Sequence, residues 1–272
     1  MDFIYETIKV EMDTSETNSI CHLILNRPKK LNSMNVKFWD EFRHFFKTLK
    51  HNKNVKVVVI TGSGKSFTAG LDLVDGPNLA FAGDQARSAL KFLDLVTEMQ
   101  ESFTSIEKCG KIVLVGIHGG GGIDLITACD IRYCTNDAKF SVKEVDIGIA
   151  ADVGTLQRLP KVVGNQSWVK EICLTGRYFS GEEAVTHGLC SKTFDNKEEM
   201  TKNLFLLAKT LSLKSPIALI GTKKILDYSR DHSVEDGLEM VAVWNSSMLN
   251  TEDVGVAISA SMAKSKPVFS KL

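Results

Sequence analysis

Apolar and polar positions along this chain follow two periods. Residues 5–12 and 20–26 alternate apolar with polar side chains, the period-two pattern of half-buried strands, and the polar stretch 13–18 turns between them. Asn26, Arg27, Pro28, Lys29, Lys30, Leu31 and Asn32 make a breaker-rich loop. From 36 to 50 Phe38, Trp39, Phe42, Phe45, Phe46 and Leu49 recur three and four apart, which predicts a helix whose aromatic stripe belongs to a core and not to a cofactor site. Residues 55–61 are nearly all apolar, as in a strand covered on both faces. Residues 67–73 read as a strand running into a loop, and 76–83 as loose chain. Leu90, Leu93, Val96, Met99, Phe103 and Ile106 predict a long amphipathic helix over 86–106. A second buried strand follows at 111–117, then a helix around 123–129, a strand at 131–135 and a further segment at 140–145. Ser180 and Glu183 have the spacing of a capping box before a short helix at 184–187, which Gly188 closes.

Beyond Asp195 the pattern changes. Residues 198–213, 215–229, 233–249 and 251–263 read as four helices, with Pro216 near the start of the second and no further strand. The division expected is an α/β core over 1–195 and a helical region over 196–272. Alternating strands and helices in the core fit a spiral of ββα repeats better than a Rossmann sheet.

Composition narrows the partners. The 272 residues include 33 basic and 33 acidic side chains, a net charge of zero, which argues against nucleic acid or a membrane surface as the main partner and leaves room for a local basic patch on a phosphorylated ligand. The six cysteines contain no C-x-x-C pair and do not cluster with histidine, so they read as small apolar residues of a reducing compartment. No apolar run approaches the roughly 18 residues of a membrane span. Residues 1–6 lack the look of a transit or signal peptide, whereas Ser270-Lys271-Leu272 is the tripeptide of a peroxisomal address, implying the peroxisomal import receptor as a partner and the peroxisome matrix as location.

The candidate chemistry lies between His118 and Pro160. Gly119, Gly120, Gly121 and Gly122 follow an apolar strand and open an apolar helix, a setting in which backbone N–H groups can approach a ligand oxygen and favour developing negative charge. Asp124, Glu144 and Asp152 stand twenty and eight residues apart among apolar or small neighbours, where a carboxyl group can exchange protons near neutral pH. Asp124 also suits the first turn of a helix for dipole reasons alone. Asp146 reads as solvated or structural, and His118 as a hydrogen-bonded structural histidine. A Walker loop, a strand–G-x-G-x-x-G–helix unit and H-E-x-x-H are all missing, so no metal or nucleotide cofactor is implied.

The run Gly120 to Leu125, the run Lys143 to Pro160 and the upstream Phe67 to Leu73 resemble the crotonase, or enoyl-CoA hydratase/isomerase, superfamily, and within it the Δ3,5-Δ2,4-dienoyl-CoA isomerase group. The resemblance covers nearly the whole chain from Leu25. It implies a crotonase-type spiral with a C-terminal helical part that packs against other subunits in a homotrimer or a homohexamer. It implies an acyl-CoA substrate and no cofactor, coenzyme A being part of the substrate. The N–H groups of Leu71 and Gly121 are the oxyanion-hole donors it points to. Ala69, Gly70, Leu71, Asp72, Leu73 and Gly121, with the loop lysines Lys29 and Lys30, fall where relatives contact substrate. Glu144 matches the acid/base near C2, Asp152 the carboxylate particular to the isomerase group, and Asp124 a supporting acid where hydratases carry a second glutamate. Relatives hold three more residues between His118-Gly119 and the glycine run, so this loop must be tighter or the preceding strand must shift. The activity implied is conversion of 3,5-dienoyl-CoA to 2,4-dienoyl-CoA during breakdown of unsaturated fatty acids. The alternatives are an enoyl-CoA hydratase and a non-catalytic acyl-CoA-binding protein, the latter favoured by the short loop.

Overall fold

The computed structural model describes residues 4–13, 19–77 and 83–272. Strands β1 (Ile8–Met12) and β2 (Ile20–Leu25) pair antiparallel; residues 14–18 of the turn between them lie outside the described residues. After a 3-10 turn at Pro28–Lys30, Asn35 caps helix α1 (Val36–Lys50) by accepting from the Phe38 N–H. Strand β3 (Val57–Gly62) runs parallel to β2, and helix α2 (Gln85–Lys108), capped by Asp84, returns the chain to β4 (Ile112–Ile117), parallel to β3. The short elements β5 (Gly120–Gly121) and α3 (Ile123–Thr127) lead into β6 (Ile131–Thr135) and β7 (Lys139–Phe140). Helices α4 (Thr155–Val162) and α5 (Gln166–Thr175), strand β8 (Phe179–Ser180), helix α6 (Gly181–Thr186) and strand β9 (Lys192–Phe194) complete the α/β part. Helices α7 (Lys197–Ser212), α8 (Pro216–Ser229), α9 (Val234–Met248) and α10 (Glu252–Met262) follow without an intervening strand.

The main sheet has the order β1-β2-β3-β4-β6-β9 and is parallel after its first pair; β5, β7 and β8 form a small second sheet. Parallel neighbours need crossovers, and the intervening helices supply them, which winds the chain into successive strand-and-helix turns. Every residue of β3 and β4 is buried, and the two faces of these strands have different covers. Val58, Ile60, Val113 and Val115 pack with Phe42, Phe46 and Phe103 of α1 and α2, whereas Val57, Val59 and Leu114 pack with Met200, Leu204 and Ala208 of α7. The aromatic stripe of α1 is core: Phe42 meets Phe103 edge-on with ring centroids 5.8 Å apart.

Several expectations need correction. Residues 67–73 form no strand beyond a single bridge between Met34 and Leu71. Of the expected segment 140–145 only Lys139–Phe140 is a strand, because Glu144–Ile147 winds into a 3-10 turn. The apolar stripe of α2 is buried only from Met99 onward; Leu90 and Leu93 are exposed. Ser180 does cap α6, accepting from the Glu183 N–H, but the Glu183 carboxylate does not complete a capping box, since Arg177 and the Trp168 Nε1 hold it instead. Residues 78–82 of the loose stretch lie outside the described residues.

The last helices bury little. Gly237 is the one buried residue of α9, and Asp253 and Ala260 those of α10, while Leu238, Val243, Leu249, Ile258 and Met262 face outward. No single helix among the described residues is long and apolar enough to cross a membrane. All six cysteines are unbonded thiols, five of them buried.

Candidate active site

The two glycine-bearing segments lie side by side where β4 leaves the main sheet. The Phe67 N–H donates to the His118 carbonyl at 2.7 Å, the Thr68 N–H to the Gly120 carbonyl at 3.2 Å, and the Gly120 N–H to Ser66 Oγ at 2.9 Å. Only His118 and Gly119 separate β4 from β5, so the tighter loop is the one realised. Gly119 sits at φ 67°, and a Cβ there would overlap the Lys65 carbonyl oxygen, so the short connection requires glycine.

The two expected oxyanion donors fare differently. The Met34 N–H donates to Gly70 and the Asp72 N–H to Met34, so the bridge at Leu71 uses its neighbours and leaves the Leu71 N–H without a partner among the described residues. Gly121, by contrast, stands opposite Phe140 in the parallel β5–β7 ladder. That ladder starts with the Lys139 N–H on the Gly119 carbonyl, a register that turns the Gly121 N–H toward the Lys139 carbonyl. The first N–H beyond the ladder is that of Gly122, the N-cap residue of α3.

The loop expected to meet the nucleotide end is fixed from within. Arg27 pairs with Asp72 at 2.8 Å, and the Asp72 carboxylate also accepts from Ser33 Oγ and from the N–H groups of Val74 and Asp75. The backbone N–H of Asp75, then Arg27, hold the Asp72 carboxyl well below the usual carboxylate range. The Asp72 side chain therefore serves the scaffold and does not face a ligand. Lys29, Lys30, Ala69 and Leu73 are exposed, and Gly70 takes φ 84° between Ala69 and Leu71.

The structure brings all three carboxylates together. Glu144 opens the 3-10 turn just after buried Val142, and Gly148 at φ 83° closes it. Asp152 lies half-buried between buried Ala151 and Val153. Burial raises the proton affinity of all three, and the charges of Asp124 and Asp152 raise that of Glu144 further. Asp124 has a second task that its position in α3 does not announce. Gly154, the N-cap residue of α4, has no side chain to offer, and Asp124 Oδ1 takes over by accepting from the Thr155 N–H at 2.7 Å and the Thr155 Oγ1 at 2.8 Å. A carboxylate held so is poorly free to activate a water molecule.

Residues outside the expected set support this arrangement. Gln100 Nε2 donates to the Asp152 carbonyl at 2.7 Å, and Arg158 reaches Glu107 and Thr104. Asp146 pairs with Lys143 at the surface, and buried His118 shares its Nε2 with the Gly64 carbonyl at 3.2 Å. Among the described residues no group of three or more His, Cys, Asp and Glu side chains has the placement to hold a metal ion.

Comparison with known proteins follows the same lines. The family model described as enoyl-CoA hydratase/isomerase matches residues 15–271. A mitochondrial Delta(3,5)-Delta(2,4)-dienoyl-CoA isomerase of Rattus norvegicus is 49% identical over 280 residues, covering 100% of this chain and 85% of that protein. A peroxisomal one of Arabidopsis thaliana is 45% identical, covering 98% of each. Among solved structures, an enoyl-CoA hydratase from Bacillus anthracis superposes with a TM-score of 0.86 at 25% identity, covering 97% of this chain and 99% of that one.

Proposed function

The chain belongs to the enoyl-CoA hydratase/isomerase family, and from that premise we propose that it is a Δ3,5-Δ2,4-dienoyl-CoA isomerase of unsaturated fatty acid breakdown. The observation that supports this reading is that Asp124 and Asp152 both lie near enough to Glu144 for their charges to act on it.

Moving two conjugated double bonds takes a proton from C2 and returns one at C6, a separation that one short side chain spans poorly. Glu144, deprotonated, removes the C2 proton, and the electron pair spreads into a dienolate whose oxygen is held by the Leu71 N–H together with the N–H of Gly122. Asp152, protonated, delivers its proton to C6, and the 2,4-diene forms. Glu144 ends with the proton and Asp152 without it, so a proton exchange through solvent resets the pair. Asp124 stabilises the arrangement as a fixed acceptor of Thr155. The chemistry is redox-neutral and needs protons only, so no cofactor enters beyond the coenzyme A of the substrate.

Lys29 and Lys30, exposed on their loop, suit the phosphates of coenzyme A. The outward apolar residues of α9 and α10 suit burial against other copies, as a trimer or a dimer of trimers. We place the protein in the peroxisome matrix because Ser270, Lys271 and Leu272 are exposed for an import receptor and the Arabidopsis relative bears that location in its name; the rat relative is named as mitochondrial.

A spectrophotometric assay tests the reading. With a 3,5-dienoyl-CoA the wild type produces the absorbance of the conjugated 2,4-dienoyl thioester. Loss of conjugation from a 2-enoyl-CoA with no such product identifies a hydratase, and binding of both thioesters without turnover identifies a binding protein.

A further inference from the structure

One face of α2 carries a polar stripe that the reaction as described does not use. Gln100, Thr104 and Glu107 stand four and three residues apart, which places them one above another on the helix. All three are bonded to the same short segment, 152–158. Gln100 Nε2 donates to the Asp152 carbonyl at 2.7 Å, Arg158 donates from its NH2 to Thr104 Oγ1 at 3.0 Å, and the Arg158 Nε and NH2 both reach Glu107 Oε2, at 3.1 and 2.9 Å. The Arg158–Glu107 pair is largely enclosed, at 12% and 16% exposure. Gly154 completes the device: it stands at φ 131°, and a Cβ there would overlap the Arg158 guanidinium, which folds back over the start of α4.

We propose that the Gln100–Thr104–Glu107 stripe of α2 is the positioning element of Asp152, fixing that carboxylate at the C6 end of the substrate while leaving the Glu144 end untouched. This rests on the isomerase reading above. The asymmetry is built into the fold. Asp152 begins a segment clamped at its first carbonyl by Gln100 and one helical turn into α4 by Glu107. Glu144 is set by its own 3-10 turn and by Gly148, and none of its hydrogen bonds reaches α2. The remaining oxygen of Glu107 accepts from Arg230, at the C-terminal end of α8, at 2.9 Å. The clamp thereby also ties the helical region to the proton donor.

Because the two ends are held separately, the two halves of the reaction come apart in a predictable way. In D2O, the dienolate formed by Glu144 has two fates: deuteration at C2, which returns labelled substrate and needs only Glu144, or deuteration at C6, which gives product and needs Asp152. Gln100 is exposed, so Gln100→Met, of similar shape and without a donor, removes the bond with little effect on folding. The ratio of C2 exchange to isomerisation is measured by mass spectrometry and absorbance for the wild type, Gln100→Met, Glu107→Gln, Asp152→Asn and the Gln100→Met/Asp152→Asn pair. Gln100→Met lowers the kcat of isomerisation roughly five- to tenfold, and Glu107→Gln at least as much, as loss of near-attack geometry does, with KM within about twofold. C2 exchange stays within about twofold of wild type, so the ratio climbs, and in the Asp152→Asn background Gln100→Met moves it no further. Where Glu107→Gln does not fold, Gln100→Met decides alone. A Gln100→Met protein in which exchange and isomerisation fall in step, or in which neither changes, overturns the inference and leaves the isomerase reading standing. A wild type that does not isomerise the dienoyl thioester overturns both.

Discussion

Strand β4 buries all six of its residues inside one protomer, whereas helix α9, with fifteen, buries a single glycine. Both stretches are rich in apolar side chains. The difference is what lies opposite: β4 is faced by α1 and α2 on one side and α7 on the other, while α9 has α8 along one side and water along the rest. Apolar content therefore separates buried from exposed stretches less well than what lies opposite each face does. In the function proposed above, the α/β body holds the chemistry and the last helices offer the surface through which copies would meet.

Three variants test that division of labour, from the largest effect to the smallest. In the body, Glu144→Gln is expected to lower kcat on 3,5-dienoyl-CoA by about 10³-fold, the scale of losing a general base, while the mass measured by light scattering stays that of wild type. A fall in mass with this variant would break the comparison. In the helices, Leu238→Arg with Ile258→Arg is expected to do the reverse: the mass falls toward a single copy and the melting temperature becomes less sensitive to protein concentration, with less than about tenfold loss in kcat. The smallest effect sharpens the picture within the body. As the proposed base Glu144 acts deprotonated, and burial, then the negative charge of Asp124, hold its proton to higher pH than an ordinary glutamate does. Activity is therefore lost as pH falls through that raised value. Asp124→Asn removes that negative charge, so the acid limb of kcat/KM moves to lower pH; a limb that moves upward contradicts the proposed roles.

Much of this was legible in the residues, for local reasons. The stripe from Phe38 to Leu49 sets α1 to its ends, and the unbroken apolar runs around Val58 and Val115 set strands covered on both faces. The three carboxylates could be picked out because each stands in an apolar neighbourhood that is informative without tertiary knowledge. What could not be read depends on contacts made across the chain. Helix α4 begins at Gly154 in a conformation closed to other residues and contains Pro160, so its sequence reads as a break. Asp124 finds its partner, Thr155, thirty-one residues away. The resemblance points to the Gly121 N–H, whereas the β5–β7 ladder turns that N–H toward Lys139 and leaves Gly122 as the first N–H beyond it. Gln100, Thr104 and Glu107 did leave a trace, since each follows directly on an apolar position, Met99, Phe103 or Ile106, and together they form a second stripe beside the first.

The placement of α7 bears on how the chain comes to be folded during synthesis. Among the described residues, the face of the sheet formed by Val57, Val59 and Leu114 is covered chiefly by Met200, Leu204 and Ala208 of α7, about 90 to 150 residues further along. Until those residues emerge, strands made early keep one apolar face open to solvent. The body thus completes itself late, through a contact of long sequence separation, and the nascent chain passes through a long interval in which binding by chaperones competes with association between unfinished chains.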